Sequence, residues 1–246
     1  MYGKYRLLNV NHNAKTRKGD GQHTGYLTGV LYLAPSDTSG RYNVCQYATV
    51  GCKLACLNTA GRGGMNSVQK ARIRKTQRFF QDRAAFLGEI EHDIRTLVRN
   101  AAKHGLRPAV RLNGTSDLPW ESMGIMNKFP DVQFYDYTKN FHRMVDFLAG
   151  GLPQNYHLTF SHSEVNDAEC KVVLDHGGTV AVIFETVPVD SYVYMRNNRM
   201  ERVAYQWTDG DGNDLRFLDP KGTIIALKPK GRAKRDTTGF VVRKVA

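Results

Sequence analysis

Short apolar runs alternate with longer amphipathic stretches along most of the chain. The run "YLTGVLYLAP" (26–35) is rich in β-forming residues and closed by Pro35, which predicts a first strand. From Ser67 to His104 the period changes. Phe79, Phe86, Ile90, Leu97 and Ala101 recur at spacings of seven and four, the signature of one helix face. Asn66 or Ser67 can cap this pattern and Gly105 ends it, and a bend near Asp82 would divide it into two helices.

Beyond Gly105 the chain repeats one unit, a short apolar strand followed by a polar loop and helix-forming residues. Strands are expected in "PAVRLNGTSD" (108–117), "VQFYDYTKN" (132–140), "YHLTFSHSE" (156–164), "TVAVIFET" (179–186), "RVAYQWTDGDG" (202–212) and "TIIALKPKG" (223–231). "WESMGIMNKF", "FHRMVDFLAGG" and "VNDAECKVVLDHGG" read as the intervening helices. Such alternation argues for parallel βαβ units. The expected fold is α/β, one partial (β/α) barrel over residues 1–246 with parallel strands, a basic arm (1–25) and a basic C-terminal segment (227–246). A doubly wound sheet is the alternative, weakened because no glycine-rich dinucleotide fingerprint follows the early strands. In barrels the C-terminal strand ends build the site, and here those ends are polar.

Charge narrows the partners. Lys plus Arg total 35 against 23 acids, a net charge of +12 and a pI near 9.6, which favours a polyanion such as nucleic acid over a merely basic enzyme. The cations form three groups: the arm; Lys70, Arg72, Arg74 and Lys75 at the start of the long helix; and Lys228, Lys230 and Arg232 near the C-terminus. Arg62 lies in the glycine-rich "AGRGG". That loop lacks the Lys-Ser/Thr ending of a P-loop, although its amides can approach an anion. No apolar run approaches the roughly 18 residues of a membrane span, and the basic, polar start lacks the apolar core of a secretory signal. A cytoplasmic address without disulfides is expected.

Three of the four cysteines, Cys45, Cys52 and Cys56, crowd into one loop as C-x6-C-x3-C, while Cys170 sits apart in a helical pattern that suits a buried thiol. Buried structural thiols are one explanation, although a loop holding Asn43, Gln46 and Lys53 is a poor core. Zinc is a second, needing a fourth ligand from Cys170 or His162. An iron–sulfur cluster is the third, held by three thiolates with one iron open. Here the chain resembles the radical S-adenosylmethionine enzymes, whose partial barrel carries three cysteines in the loop after the first strand. The resemblance implies an iron–sulfur cluster and S-adenosylmethionine. It also implies a cofactor-binding role for "NGTSD", hence Asn113, Gly114 and Ser116, by analogy with the motif that holds the methionine moiety. Those enzymes usually space the cysteines C-x3-C-x2-C, and both gaps are longer here.

A second resemblance spans nearly the whole chain. "GYLTGVLYLAP", "ARIRKTQRFF", "RLNGTSD", "FYDYTK", "YHLTFS" and "RFLDPKG" resemble the phage family called gene product eighty-eight. This implies a viral or mobile-element source and makes a nucleic-acid substrate more plausible.

Asp117, Asp136 and Glu164 end successive strands and are the candidate catalytic carboxylates, with helix capping as the bland alternative. Lys139 and His162 are candidate cofactor or substrate groups beside them. "TDGDGNDLRFLD" (208–219) hints at a calcium loop, but Asp214 stands where glycine is needed and Pro220 where the last acid belongs, so a turn is expected. The resulting expectation is a metal-dependent enzyme that modifies a base in nucleic acid. Two alternatives stand beside it: a zinc-containing deazaguanine transglycosylase, whose zinc cysteines lie late in the chain, and a non-enzymatic nucleic-acid-binding protein with a structural metal.

Overall fold

The computed structural model describes residues 5–10, 24–186 and 205–243. Its strands form one sheet: β1 (Asn9–Val10), β2 (Tyr26–Val30), β3 (Arg107–Arg111), β4 (Gln133–Thr138), β5 (Tyr156–Ser161), β6 (Val180–Ile183), β7 (Trp207–Asp209) and β8 (Ile224–Leu227). Their order is β1-β2-β3-β4-β5-β6-β8-β7. Only β1 runs antiparallel, against β2; every other pairing is parallel. The α/β class and the parallel strands match expectation. The sheet is open, however, with β1 and β7 at opposite edges, so no closed barrel forms.

Five helices connect the strands among the described residues: α1 (Val50–Leu54), α2 (Asn66–Gln81), α3 (Arg83–Lys103), α4 (Phe141–Leu148) and α5 (Asp167–Asp175). The expected bend falls at Asp82, whose carboxylate accepts from Ala85 N at 3.0 Å and so caps α3. Helix α3 stops before Gly105, which adopts φ 65, a left-handed conformation that only glycine takes without cost. "WESMGIMNKF" gives a 3-10 turn at Trp120–Met123 in place of an α-helix. The first strand is shorter than its sequence run, ending at Val30, and the sixth is confined to Trp207–Asp209, with its expected start at 202–204 outside the described residues.

Alternation sorts the strands' side chains onto two faces. On one, Leu27, Val110, Phe134, Leu158 and Val180 pack with Phe79, Phe86, Ile90, Leu97 and Val173 of the helices in one large core. On the other, Tyr26, Ala109 and Tyr135 pack against Leu215 and Phe217 from the β7–β8 connection.

Part of the expected basic arm is fixed in place. Asp93 of α3, fully buried, accepts the backbone N–H groups of Arg6 (3.0 Å), Leu7 (2.7 Å) and Leu8 (2.9 Å). Lys75 Nζ donates to Leu7 O at 3.0 Å. Burial holds that ammonium at about 8, with Arg72 adding to the shift. Residues 1–4 and 11–23 of the arm lie outside the described residues.

Replacing Asp93 with Ala leaves the buried N–H groups of Leu7 and Leu8, and the part-buried one of Arg6, without an acceptor. The expected cost is on the order of 3 kcal/mol in denaturant unfolding, together with loss of hydrogen-exchange protection at Leu7 and Leu8. Unchanged protection would show that the arm docks by its apolar side chains alone.

Candidate functional site at the strand ends

Beyond the C-terminal ends of β2 to β5 four loops meet, and each sequence-predicted site residue except the basic ones lies there. The β2 loop bears Cys45, then Thr49, which caps α1 by accepting from Cys52 N at 3.1 Å. Cys56 follows α1, and its sulfur accepts from Asn58 N at 3.5 Å. All three thiols are free and half-buried.

They stand near enough to feel one another's charge. Burial pushes the Cys45 thiol up to about 12, and negative charge on Asp117, Cys56 and Cys52 pushes the same way. Burial also raises Cys56, reinforced by Cys52 and opposed by Lys139 and Arg72. Cys170 is fully buried, with its thiol 3.6 Å from Asn166 Oδ1, and stands apart as the sequence pattern implied.

The loop is braced from three sides. Glu164, beyond β5, accepts from Thr49 Oγ1 and Gly51 N, both at 2.8 Å, and so ties the start of α1 to the sheet. Gly51 is required there, because a Cβ would fall 2.4 Å from Thr238 Oγ1 and 2.7 Å from Glu164 Oε2. From α2, Gln69 exchanges hydrogen bonds with Asn58, and Arg72 donates to Asn58 Oδ1 while its guanidinium lies 5.0 Å from the Tyr32 ring. From the C-terminal side, Gly231 approaches Ala60 so closely that a Cβ would come within 3.1 Å. Ala233, Phe240 and Val241 bury against Ala55 and Cys52.

The next loop is organised by Asn113. Its backbone N–H donates to Asp136 Oδ1 (2.7 Å), its amide to Leu118 O (2.9 Å), and its carbonyl oxygen accepts from Ser116, Leu118 N and Trp120 Nε1 at 2.8–3.0 Å. Gly114 lets this loop touch β2, since a Cβ would sit 2.5 Å from Leu31 O. Asp136 is buried, also accepting from Tyr156 OH at 3.2 Å. Burial wins over these donors and raises its carboxyl to about 7.

Asp117 is an ion-pair partner. Arg143 of α4 donates to it at 2.7 Å, and Lys139 N at 2.9 Å. Burial nonetheless raises the Asp117 carboxyl. The same guanidinium grips Glu121 through Nε (2.6 Å) and Nη2 (2.8 Å) and reaches Tyr156 OH at 3.1 Å. His162 pairs with Asp167 at 2.8 Å, leaving Nδ1 buried without a partner. Lys139 is different: its ammonium makes no hydrogen bond or ion pair among the described residues and lies 5.4 Å from the Phe240 ring.

Thus all three candidate carboxylates serve as braces, and Asn113 and Ser116 turn inward on their own loop. The Lys139 ammonium makes no such bond among the described residues, and the thiols of Cys45 and Cys56 make only long ones, to Thr115 O at 3.7 Å and from Asn58 N at 3.5 Å. Of the basic residues, Arg62, Lys70, Arg74, Lys228, Lys230 and Arg232 are exposed, and Lys230 pairs with Asp211 at 2.5 Å. Arg72 and Lys75 turn inward as braces. Sequence reading missed Arg143, Glu121 and Thr49. A cation between Phe141 and Met144 on an amphipathic helix was the signal for the first.

Around the cysteines the surface is apolar: Tyr47, Val50, Leu54, Leu57, Met65 and Val165 are all exposed. Thiol donors suit a soft metal or an iron–sulfur cluster. Among the described residues, though, no three His, Cys, Asp or Glu groups already stand in a ligating arrangement.

This is an open, mostly parallel α/β sheet protein with a thiol-bearing loop over its strand ends. The Gene product 88 family model matches residues 6–244, and the chain belongs to that family, whose motifs its sequence carries. No curated protein and no solved structure matches the chain.

Two outcomes follow. Glu164→Ala should free the start of α1 and speed alkylation of Cys52, while Cys170 stays protected; an unchanged Cys52 rate would show that Gly51 and Phe240 suffice to hold the loop. Asp136 has a folded pKa raised above its unfolded value near 4, so its contribution to stability is full below about pH 4 and declines as pH rises through about 7. Asp136→Asn should flatten this decline in melting temperature between those pH values, and an equal slope would remove Asp136 as its source.

Proposed function

We propose that this chain is a metal-centre-dependent enzyme that modifies a base in nucleic acid, with Cys45, Cys52 and Cys56 as the metal-holding residues. One observation carries the reading: three half-buried thiols of one loop sit over the C-terminal ends of a parallel sheet, beside a lysine without an ion pair among the described residues and a basic rim. We read the sequential run β2 to β6 as an incomplete (β/α) barrel, which makes that end the expected place for chemistry.

The thiols fit a soft donor set. When bound, an iron–sulfur cluster would supply one-electron chemistry to a cofactor such as S-adenosylmethionine. The protein's own groups do the rest. Lys139 and Arg72 favour the thiolate of Cys56, which a ligand must be. Glu164, Gln69 and Arg72 hold the loop over the sheet. Arg62 and the 228–235 segment, packed against the same loop, supply phosphate contacts, and the exposed apolar side chains offer faces for unstacked bases.

A second reading, a nucleic-acid-binding protein with a structural zinc, is favoured by the commitment of Asp117, Asp136 and Glu164 to bracing. Absorption separates the two, because a cluster colours the protein and zinc does not.

Anaerobically purified protein should carry iron and sulfide with a visible absorption band. Single Ser replacements of Cys45, Cys52 or Cys56 should abolish the metal, and Cys170→Ser should retain it. Colourless protein with bound zinc would select the second reading, and equal loss in Cys170→Ser would make the site a four-cysteine one. Binding to single-stranded nucleic acid should weaken steeply with salt, with a log–log slope of about −0.7 per phosphate contact. Lys228→Ala and Arg232→Ala should shallow that slope.

A further inference from the structure

The sheet face turned away from the helices carries a chemistry the cysteine loop does not use. Residues 213–219, between β7 and β8, lie across it. Leu215 and Arg216 are fully buried there, and Phe217 packs edge-on against Tyr26 and Tyr135 at 5.0 and 5.4 Å. At the C-terminal end of β3, Arg111 donates to Asp214 Oδ2 at 2.7 Å and lies over the Tyr137 ring at 4.4 Å. Arg216 donates to Asn213 O, and its Nη1 stands 3.1 Å from Asp219 Oδ2.

What remains unpaired is one-sided. Arg111 Nε, Arg216 Nε, Tyr135 OH, Thr28 Oγ1 and His157 Nε2 are all buried without a hydrogen-bond partner. These groups come from β2, β3, β4, β5 and the covering segment. Asp219 Oδ2 answers only Arg216 Nη1, its ion-pair partner, and burial keeps the His157 ring neutral, so its Nε2 can donate or accept. Buried polar atoms are ordinarily satisfied, so a cluster of orphaned donors on one face calls for a partner. The arginine N–H groups can only donate, and the two hydroxyls are free to do so. An acceptor-only group answers that set better than water, which brings two donors of its own.

We infer that the inner face between Arg111 and Arg216 is a ligand site for a small oxyanion, a carboxylate or phosphate group, held by the two guanidiniums with Tyr135 and Thr28. The site is separate from the thiol loop and does not depend on a metal there. Because Arg216 belongs to the covering segment and Arg111 to the sheet, a bound oxyanion ties one to the other and stabilises the fold.

Thermal unfolding of the full chain in inorganic phosphate, in acetate and in chloride at matched ionic strength tests this. Phosphate or acetate should raise Tm above chloride in a saturable way; phosphate alone assigns a phosphate ester, acetate alone a carboxylate. Tyr135→Phe and Thr28→Val keep the side-chain shape and remove one donor each. Each should weaken apparent affinity roughly tenfold, the scale of one charge-assisted hydrogen bond. The effect should persist in Lys228→Ala/Lys230→Ala and in the triple Cys45→Ser/Cys52→Ser/Cys56→Ser, which separates it from the basic rim and from the metal reading. Equal Tm in all three salts would overturn the proposal. So would an anion effect that Tyr135→Phe and Thr28→Val leave unchanged, since the donors would then be satisfied by water.

Discussion

A parallel strand that ends in the interior hands its loop a problem: the next backbone groups are buried and have no strand to pair with. At the end of β3 that problem is met by one side chain. Asn113 accepts from Ser116, Leu118 and Trp120 and donates to Leu118 and, with its own N–H, to Asp136. Asp136 then needs donors from two directions and finds the second in Tyr156 of the neighbouring strand. The chain of constraint continues through that phenol, which also accepts from Arg143, and Arg143 sets Asp117 and Glu121. Loops after β3 and β4 are thereby fixed as one unit, and the cysteine loop rests on it through the contact of Cys45 with Thr115 O at 3.7 Å. Losing Asn113 would leave several buried groups unpaired at once, a cost well beyond that of one hydrogen bond.

This bracing explains why charge and chemistry part company at the strand ends. Carboxylates that close a buried network are held in position by the donors around them. Asp117 and Glu164 accept from partners fixed by the fold, and neither projects past the loops. Lys139 and the thiols are held less tightly, the thiols of Cys45 and Cys56 by long contacts to Thr115 O and Asn58 N and Lys139 against the Phe240 ring. The same division runs through the basic residues: Arg72 and Lys75 hold the loop and the arm, while Arg62, Lys70 and Arg74 are exposed.

Much of the layout was legible because it follows from short-range pattern. The period-seven-and-four apolar face of 79–101, the break at Asp82 and the apolar strands of 107–183 are properties of consecutive residues, and Cys170 reads as buried from its helical neighbours. What stayed hidden depends on distant partners. Nothing near Leu7 announces that its N–H will meet Asp93, 86 positions later. Likewise "TDGDGNDLRFLD" reads as a surface turn, yet Leu215 and Arg216 are fully buried because the open sheet offers them an otherwise bare apolar and aromatic face. Clustering of the cysteines was evident from spacing, and Gln69 and Arg72 lie nearby in the chain, but Glu164 and the 231–241 segment, which also brace the loop, come from more than a hundred positions away.

The inner face makes the deeper point about this fold. A sheet covered by helices on one side only must cover the other or leave Tyr26, Ala109 and Tyr135 to water. A purely apolar cover would serve that need, and Leu215 and Phe217 supply part of one. Arg111 and Arg216 do not, because burying a guanidinium is costly unless its hydrogen bonds are met. Their aspartate partners meet only some. A chain selected for stability alone would gain by replacing such a half-satisfied pair with apolar residues of similar volume. Two buried arginines on this face, with Tyr135 and His157 beside them, therefore cost the fold stability that an apolar cover would not.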